Sequence, residues 1–228
     1  MKKRINKIKI LRIIHTLDPA HGGPQNAIID NSLSLIKNGI SVDILTSDIR
    51  NYHFKKIKNL RIINKGPSLN DYGLNFRLFY WLLKNKKEYS FILIHGIWQF
   101  YTLAARILFK NKYFVFIHGQ LDPFFSLNLI KKIKKKLYWF LIERGNLISS
   151  KSLLLTSDLE KKLIAKTYVD TSELKKIVIN YGITKPNFDK KKVVEIFYKK
   201  FPKLKNKKFL LFLGRFHEKK GCDVLIKA

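Results

Sequence analysis

The chain has 228 residues, 46% of them hydrophobic, and carries 46 basic against 16 acidic side chains for a formal charge of +30. That apolar content supports a sizeable core and excludes a disordered chain, while the single cysteine, Cys222, excludes a disulfide framework or a cysteine-based zinc cluster. The charge suits nucleic acid or an anionic surface, but lysine supplies 38 of the 46 basic residues and no zinc spacing, aromatic RNA-binding motif or helix-turn-helix accompanies it, so charge alone does not make a specific nucleic-acid binder.

Basic residues 2–4 lead into residues 8–14, where charges interrupt the apolar run, which reads as a first strand rather than a signal peptide. A loop with Gly22 and Gly23 follows, then a helix from about 24 to 37 that stops at Asn38-Gly39. Apolar runs at 42–46, 60–63, 91–94, 113–117, 152–155 and 176–179 read as further strands, and helical spacing covers about 75–86, 103–109 and 127–148. No run reaches the roughly 18 apolar residues of a membrane span. In Thr156-Ser157-Asp158-Leu159-Glu160 a helix begins, with Ser157 as cap and Glu160 placed to reach back to it.

This alternation predicts an α/β fold, a doubly wound, mostly parallel Rossmann-like sheet, over residues 1–184. Residues 185–207, lysine-rich with Pro186 and Pro202, read as a linker with one helix over 190–200. Residues 208–228 read as the opening of a second domain: a strand at 209–213, a turn, and the first turns of a helix.

Ligands of such sheets bind beyond the C-terminal strand ends. Three loops there carry polar residues. The first holds Gly22-Gly23 before a helix, suited to close approach of an anion or a sugar, and it is not the GxGxxG of dinucleotide enzymes. The second and third are His95-Gly96-Ile97-Trp98 and His118-Gly119-Gln120-Leu121-Asp122-Pro123, each directly after an apolar run. His21 and His53 read as ordinary loop histidines. Residues 127–144 hold a lysine cluster with Ile130, Ile133, Leu137 and Leu141 at helical spacing. That pattern reads either as a core helix with a solvated lysine face or as a peripheral membrane contact.

The segment Gly214-Arg215, Lys220-Gly221 and Leu225-Ile226-Lys227-Ala228, after its apolar run, resembles the start of the second domain of GT4 glycosyltransferases, which have the two-domain GT-B fold. The glycine pair and the two His-Gly loops resemble the first domain of the same family. The resemblance implies a retaining transfer of sugar from a nucleotide-diphosphate donor to a polysaccharide or lipid-linked acceptor, in the cytoplasm or peripherally at the inner face of the cytoplasmic membrane, with no metal or other cofactor.

It implies donor-diphosphate contacts for Gly22, Gly23, Arg215 and Lys220, a place beside the reacting sugar for His118, and sugar or acceptor contacts for His95, Trp98 and Gly119. Two departures stand out. The family's hinge motif is reduced here to Gly182-Ile183 within Asn180-Tyr181-Gly182-Ile183-Thr184. The paired glutamates that hold the donor's sugar and ribose would fall beyond residue 228. The expectation is a chain with little or no turnover alone, completed by a second polypeptide with the rest of that domain. A non-catalytic acceptor- or membrane-binding fragment is the alternative.

Overall fold

The computed structural model describes residues 8–18, 20, 23–48, 59–126, 129–180, 182, 187–214 and 216–228. They form two compact units, residues 1–183 and 184–228. The first is built on seven strands: β1 (Lys9–Ile14), β2 (Ser41–Thr46), β3 (Leu60–Asn64), β4 (Phe91–His95), β5 (Tyr113–Phe116), β6 (Ser152–Leu155) and β7 (Lys176–Val178). They pair in the order β3-β2-β1-β4-β5-β6-β7, every pair parallel. The fold class read from the sequence holds, and the sheet is wholly parallel.

Strands β1, β2, β4, β5 and β6 read as short, mostly apolar runs because the central strands of a parallel sheet are covered on both faces, while β3 and β7 form its edges. On one face Leu11, Ile13, Ile92, Ile94, Val115 and Leu153 are sealed beneath the helices α2 (Phe76–Asn85), α3 (Phe100–Leu108), α5 (Arg144–Ile148) and α6 (Asp158–Ile164), which supply Leu78, Leu82, Ala104, Leu147 and Ile164. On the other, α1 (Gly23–Lys37) presses Ile28 onto Ile14, Leu17 and Ile44. Each such aliphatic side chain contributes about 1.5–3 kcal/mol on burial.

Helix starts follow their side chains. Asn75 accepts a hydrogen bond from the Leu78 amide at 2.9 Å, which begins α2 one residue later than the periodicity suggests. Ser157 caps α6 by accepting from the Glu160 amide at 3.1 Å. Its partner corrects the expectation: the Glu160 carboxylate takes the Thr156 amide, 2.6 Å away, in place of that of Ser157. The helix expected through 127–148 is also divided. It runs as α4 (Leu129–Tyr138), a π-turn over Trp139–Glu143, and then α5.

In the second unit Asp189 caps α7 (Lys190–Lys200), as the helix expected there, and Cys222, a free and partly exposed thiol, opens α8 (Cys222–Lys227). Residues 209–213, expected as a strand, form none. A parallel strand is stabilised by ladder bonds to a neighbour, and no described residue pairs with this run. Leu210 and Leu213 are about nine-tenths exposed.

Candidate functional site

The strand order fixes where a site belongs. From β1 the chain turns through α1 to β2 on one side, and from β4 through α3 to β5 on the other. The connections leave on opposite faces, so the switch point of the sheet, where ligands of such folds bind, falls at the C-terminal ends of β1 and β4. Beside β1, the Thr16 hydroxyl donates to Asp48, and the Leu17 amide bonds the same carboxylate at 3.2 Å. This ties the loop to the end of β2. Gly23 begins α1 at this edge, and a Cβ added there would meet nothing within 4 Å.

The turns after β4 and β5 are stitched together. The Gly96 amide donates to the Phe116 carbonyl at 2.8 Å, and the Ile97 amide to Gln120 Oε1 at 2.6 Å. Both turns use left-handed backbone: Gly96 at φ +103°, Trp98 at +66°, His118 at +49° and Gly119 at +72°. At Gly96 only glycine fits well, since a Cβ would lie 3.0 Å from the Tyr101 hydroxyl, which itself donates to the His95 carbonyl at 2.9 Å.

This stitching brings His95 and His118 together. Nδ1 of His95 lies 3.1 Å from Nε2 of His118. The rings are nearly parallel, with centroids 5.3 Å apart, and Phe116 stacks on both. Burial lowers both pKa values. His118 falls to about 4 although the Glu160 charge opposes the change. His95 lies well below its ordinary value through burial, then the nearby Arg12 charge and His118. Both imidazoles are therefore neutral at neutral pH. Nε2 of His95 is buried and without a partner. In this pair one of the two facing nitrogens donates and the other accepts.

Two glutamates hold these turns from behind. Glu160 accepts the Gly119 amide at 2.7 Å through Oε1, and the Thr156 amide and hydroxyl, at 2.6 and 2.9 Å, through Oε2. Glu143, fully buried in the π-turn, accepts the Trp98 amide at 3.2 Å and Asn146 Nδ2 at 3.0 Å. Burial pushes its carboxyl up to about 7 despite these bonds. The Trp98 ring packs 6.0 Å from both Tyr138 and Trp139, with Lys135 Nζ 5.3 Å from its centroid.

Of the residues singled out from sequence, His95, Trp98, His118 and Gly119 share this stitched pair of turns. Gly23 stands at the start of α1, at the neighbouring strand end. Lys220 belongs to the second unit, where it is exposed and precedes Gly221, which adopts φ +65°. Gly22, Arg215, His21 and His53 lie outside the described residues. Sequence reasoning missed Gln120, Glu143 and Glu160 as supports. Glu143 carried a signal, being the sole acid between residues 123 and 157.

Among the solved structures that share this fold are the following three. Sucrose-phosphate synthase from Thermosynechococcus elongatus superposes with a TM-score of 0.68 at 16% identity, over 97% of this chain and 59% of that one. HepE from Anabaena, in complex with UDP and glucose, gives 0.53 at 14% identity, over 85% and 50%. WaaG, a glycosyltransferase involved in lipopolysaccharide biosynthesis, gives 0.54 at 15% identity, over 96% and 58%. At these identities the likeness is one of fold, and the chain spans between half and three-fifths of each structure. No protein-family profile and no curated sequence matches the chain.

Proposed function

We propose that the chain forms the acceptor-side part of a retaining, GT4-like glycosyltransferase that moves a sugar from a nucleotide-diphosphate donor to a polysaccharide or lipid-linked acceptor at the cytoplasmic side of a membrane. The observation that carries this reading is the pairing of His95 and His118, 3.1 Å apart, at adjacent strand ends beside the β1/β4 switch point. Neutral, interlocked imidazoles suit hydrogen bonding to sugar hydroxyls, because an imidazole without charge matches a hydroxyl without drawing in a counter-ion. Backbone held in the left-handed region lets the turns approach a ring closely.

Cleavage of the glycosyl–phosphate bond builds negative charge on the leaving diphosphate. The start of α1 at Gly23 offers amides and the positive end of a helix dipole, and the resemblance adds Gly22, Arg215 and Lys220 to that work. His118 is assigned to a donor-sugar hydroxyl, with His95 orienting it and Trp98 and Gly119 shaping the acceptor side. No metal or cofactor takes part in this proposal.

The test is release of nucleoside diphosphate from a panel of nucleotide sugars. The chain is assayed alone and together with a polypeptide carrying the second nucleotide-binding lobe. Little turnover is expected alone, and transfer is expected in the combination. There, His118→Ala should lower kcat/KM about 100-fold. Transfer by the combination that is unchanged in His118→Ala would remove the histidine from the chemistry. Acceptor binding without transfer in any combination would favour the non-catalytic alternative.

A further inference from the structure

A cleft of about 460 Å³ opens at the far end of the sheet, where β1, β2 and β3 begin, lined by Lys9, Ser41, Asp43, Asn59 and Arg61. Ile14 pairs with His95, and Lys9 stands five residues before it on β1, so about 16 Å of strand separates the cleft from the histidine pair. Asp43 anchors the polar wall. It is 5% exposed, and its Oδ2 accepts from Arg61 Nη2 at 2.8 Å and from the Tyr89 hydroxyl at 2.7 Å, with Lys9 Nζ 3.2 Å away. A staple between strands would be complete with one cation on this carboxylate, but two are present and both keep donors in reserve. Lys9 has three N–H donors for Asp43 and Glu88, the latter at 2.9 Å. Arg61 makes both its bonds, to Asp43 and to the Tyr89 hydroxyl, from Nη2. Its side chain is 54% exposed, and its Nε–Nη1 edge bonds none of the described residues.

We propose that this cleft is a binding site for a small phosphate ester, with the phosphate on the outer edge of Arg61 and on Lys9 and the organic part against Ile36 and Ile40. A guanidinium pinned at one nitrogen offers two parallel donors at a fixed angle, which is the bidentate geometry that a phosphate accepts. Lys9 and Arg61 against Asp43 leave the lining one net positive charge. Helix dipoles do not supply the attraction. α1 ends beside the cleft, and its C-terminus disfavours an anion, so the side chains must hold it. The volume lies within the range of about 300–1,000 Å³ typical of small-ligand pockets, which leaves room for more than a bare ion. This site goes beyond the sugar-transfer reading and does not depend on it, because binding is measured without a donor.

The experiment is titration of the 228-residue chain with phenyl phosphate at about 0.15 M salt, followed by amide resonances in NMR spectra. Saturable shifts are expected at Ser41 and Arg61, with the Gly96 and Gly119 amides unmoved. Phenol should shift nothing, and inorganic phosphate should bind about tenfold more weakly than the ester. With so basic a chain, the deciding variants must leave charge unaltered. Arg61→Lys, which loses only the fork, should weaken binding about tenfold, whereas Arg77→Lys, at an exposed position on α2, should change nothing. Tyr89→Phe frees Arg61 from one of its two partners and should weaken binding about threefold, and it decides the matter if Arg61→Lys shifts the urea midpoint. Undiminished binding by the charge-preserving cleft variants would reduce the effect to bulk charge and overturn the proposal. Shifts at Gly119 in place of Ser41 would move the ligand to the sugar site and overturn it equally. Inorganic phosphate that binds as tightly as the ester would remove the organic part from the site and overturn it as stated.

Discussion

The turns after β4 and β5 solve one problem in two ways. Each follows a buried strand with a histidine and a left-handed glycine, and each is held by a glutamate from a later helix. The Glu143 carboxylate is fully enclosed and accepts from the Trp98 amide, Asn146 Nδ2, the Thr102 hydroxyl and Tyr138. Glu160 sits at a helix start, 9% exposed, with three donors on its two oxygens. The comparison teaches that two carboxylates alike in their hydrogen bonds can differ in how completely the fold encloses them.

The largest expected effect is at the enclosed member. Glu143→Ala strands the Trp98 amide and Asn146 in a fully buried site and should cost about 3 kcal/mol in urea unfolding. A smaller loss than from Glu160→Ala would break the comparison.

The next effect sharpens it through pH. The folded chain holds a proton on Glu143 up to about 7, against an ordinary 4.5. Between those values the unfolded chain binds fewer protons, so this group's share of stability falls as pH rises, by about 3 kcal/mol at most. The histidines act in the opposite sense. Below about 6.5 the unfolded chain protonates imidazoles that the folded one keeps neutral, with His118 at about 4, so their share falls as pH drops. Subtracting the Glu143→Gln profile from the parent profile isolates the carboxylate, and the difference should decline from pH 5 to pH 8. A flat difference would make Glu143 a plain structural acceptor.

The smallest effect is at the slightly less enclosed member. Glu160→Ala should cost about 1–2 kcal/mol, because water can reach some of the donors it frees. The amide resonance of Gly119 should shift with it in NMR spectra.

The strands were legible because a doubly covered strand must be apolar throughout, and residues 91–94 or 152–155 admit little else. Their order was not legible. It depends on contacts between segments far apart in the chain, so the switch point at β1 and β4 emerges only once the sheet is assembled. The two His-Gly turns were visible as motifs, yet their contact joins residues 23 positions apart on neighbouring strands, which no local pattern records. The helix expected over 127–148 failed where the π-turn widens the ring by one residue and swings Glu143 inward. Residues 209–213 have a strand's composition, but composition supplies side chains and not a neighbour to bond.

The distribution of two rare residue types makes the chain its own measuring device. Its one thiol, Cys222, lies partly exposed in the second unit, while Trp81, Trp98 and Trp139 all lie in the first. A single maleimide acceptor dye therefore attaches at one known place with no background thiol to remove. Energy transfer from the intrinsic indoles then reads the separation of the two units directly, with and without a nucleotide sugar.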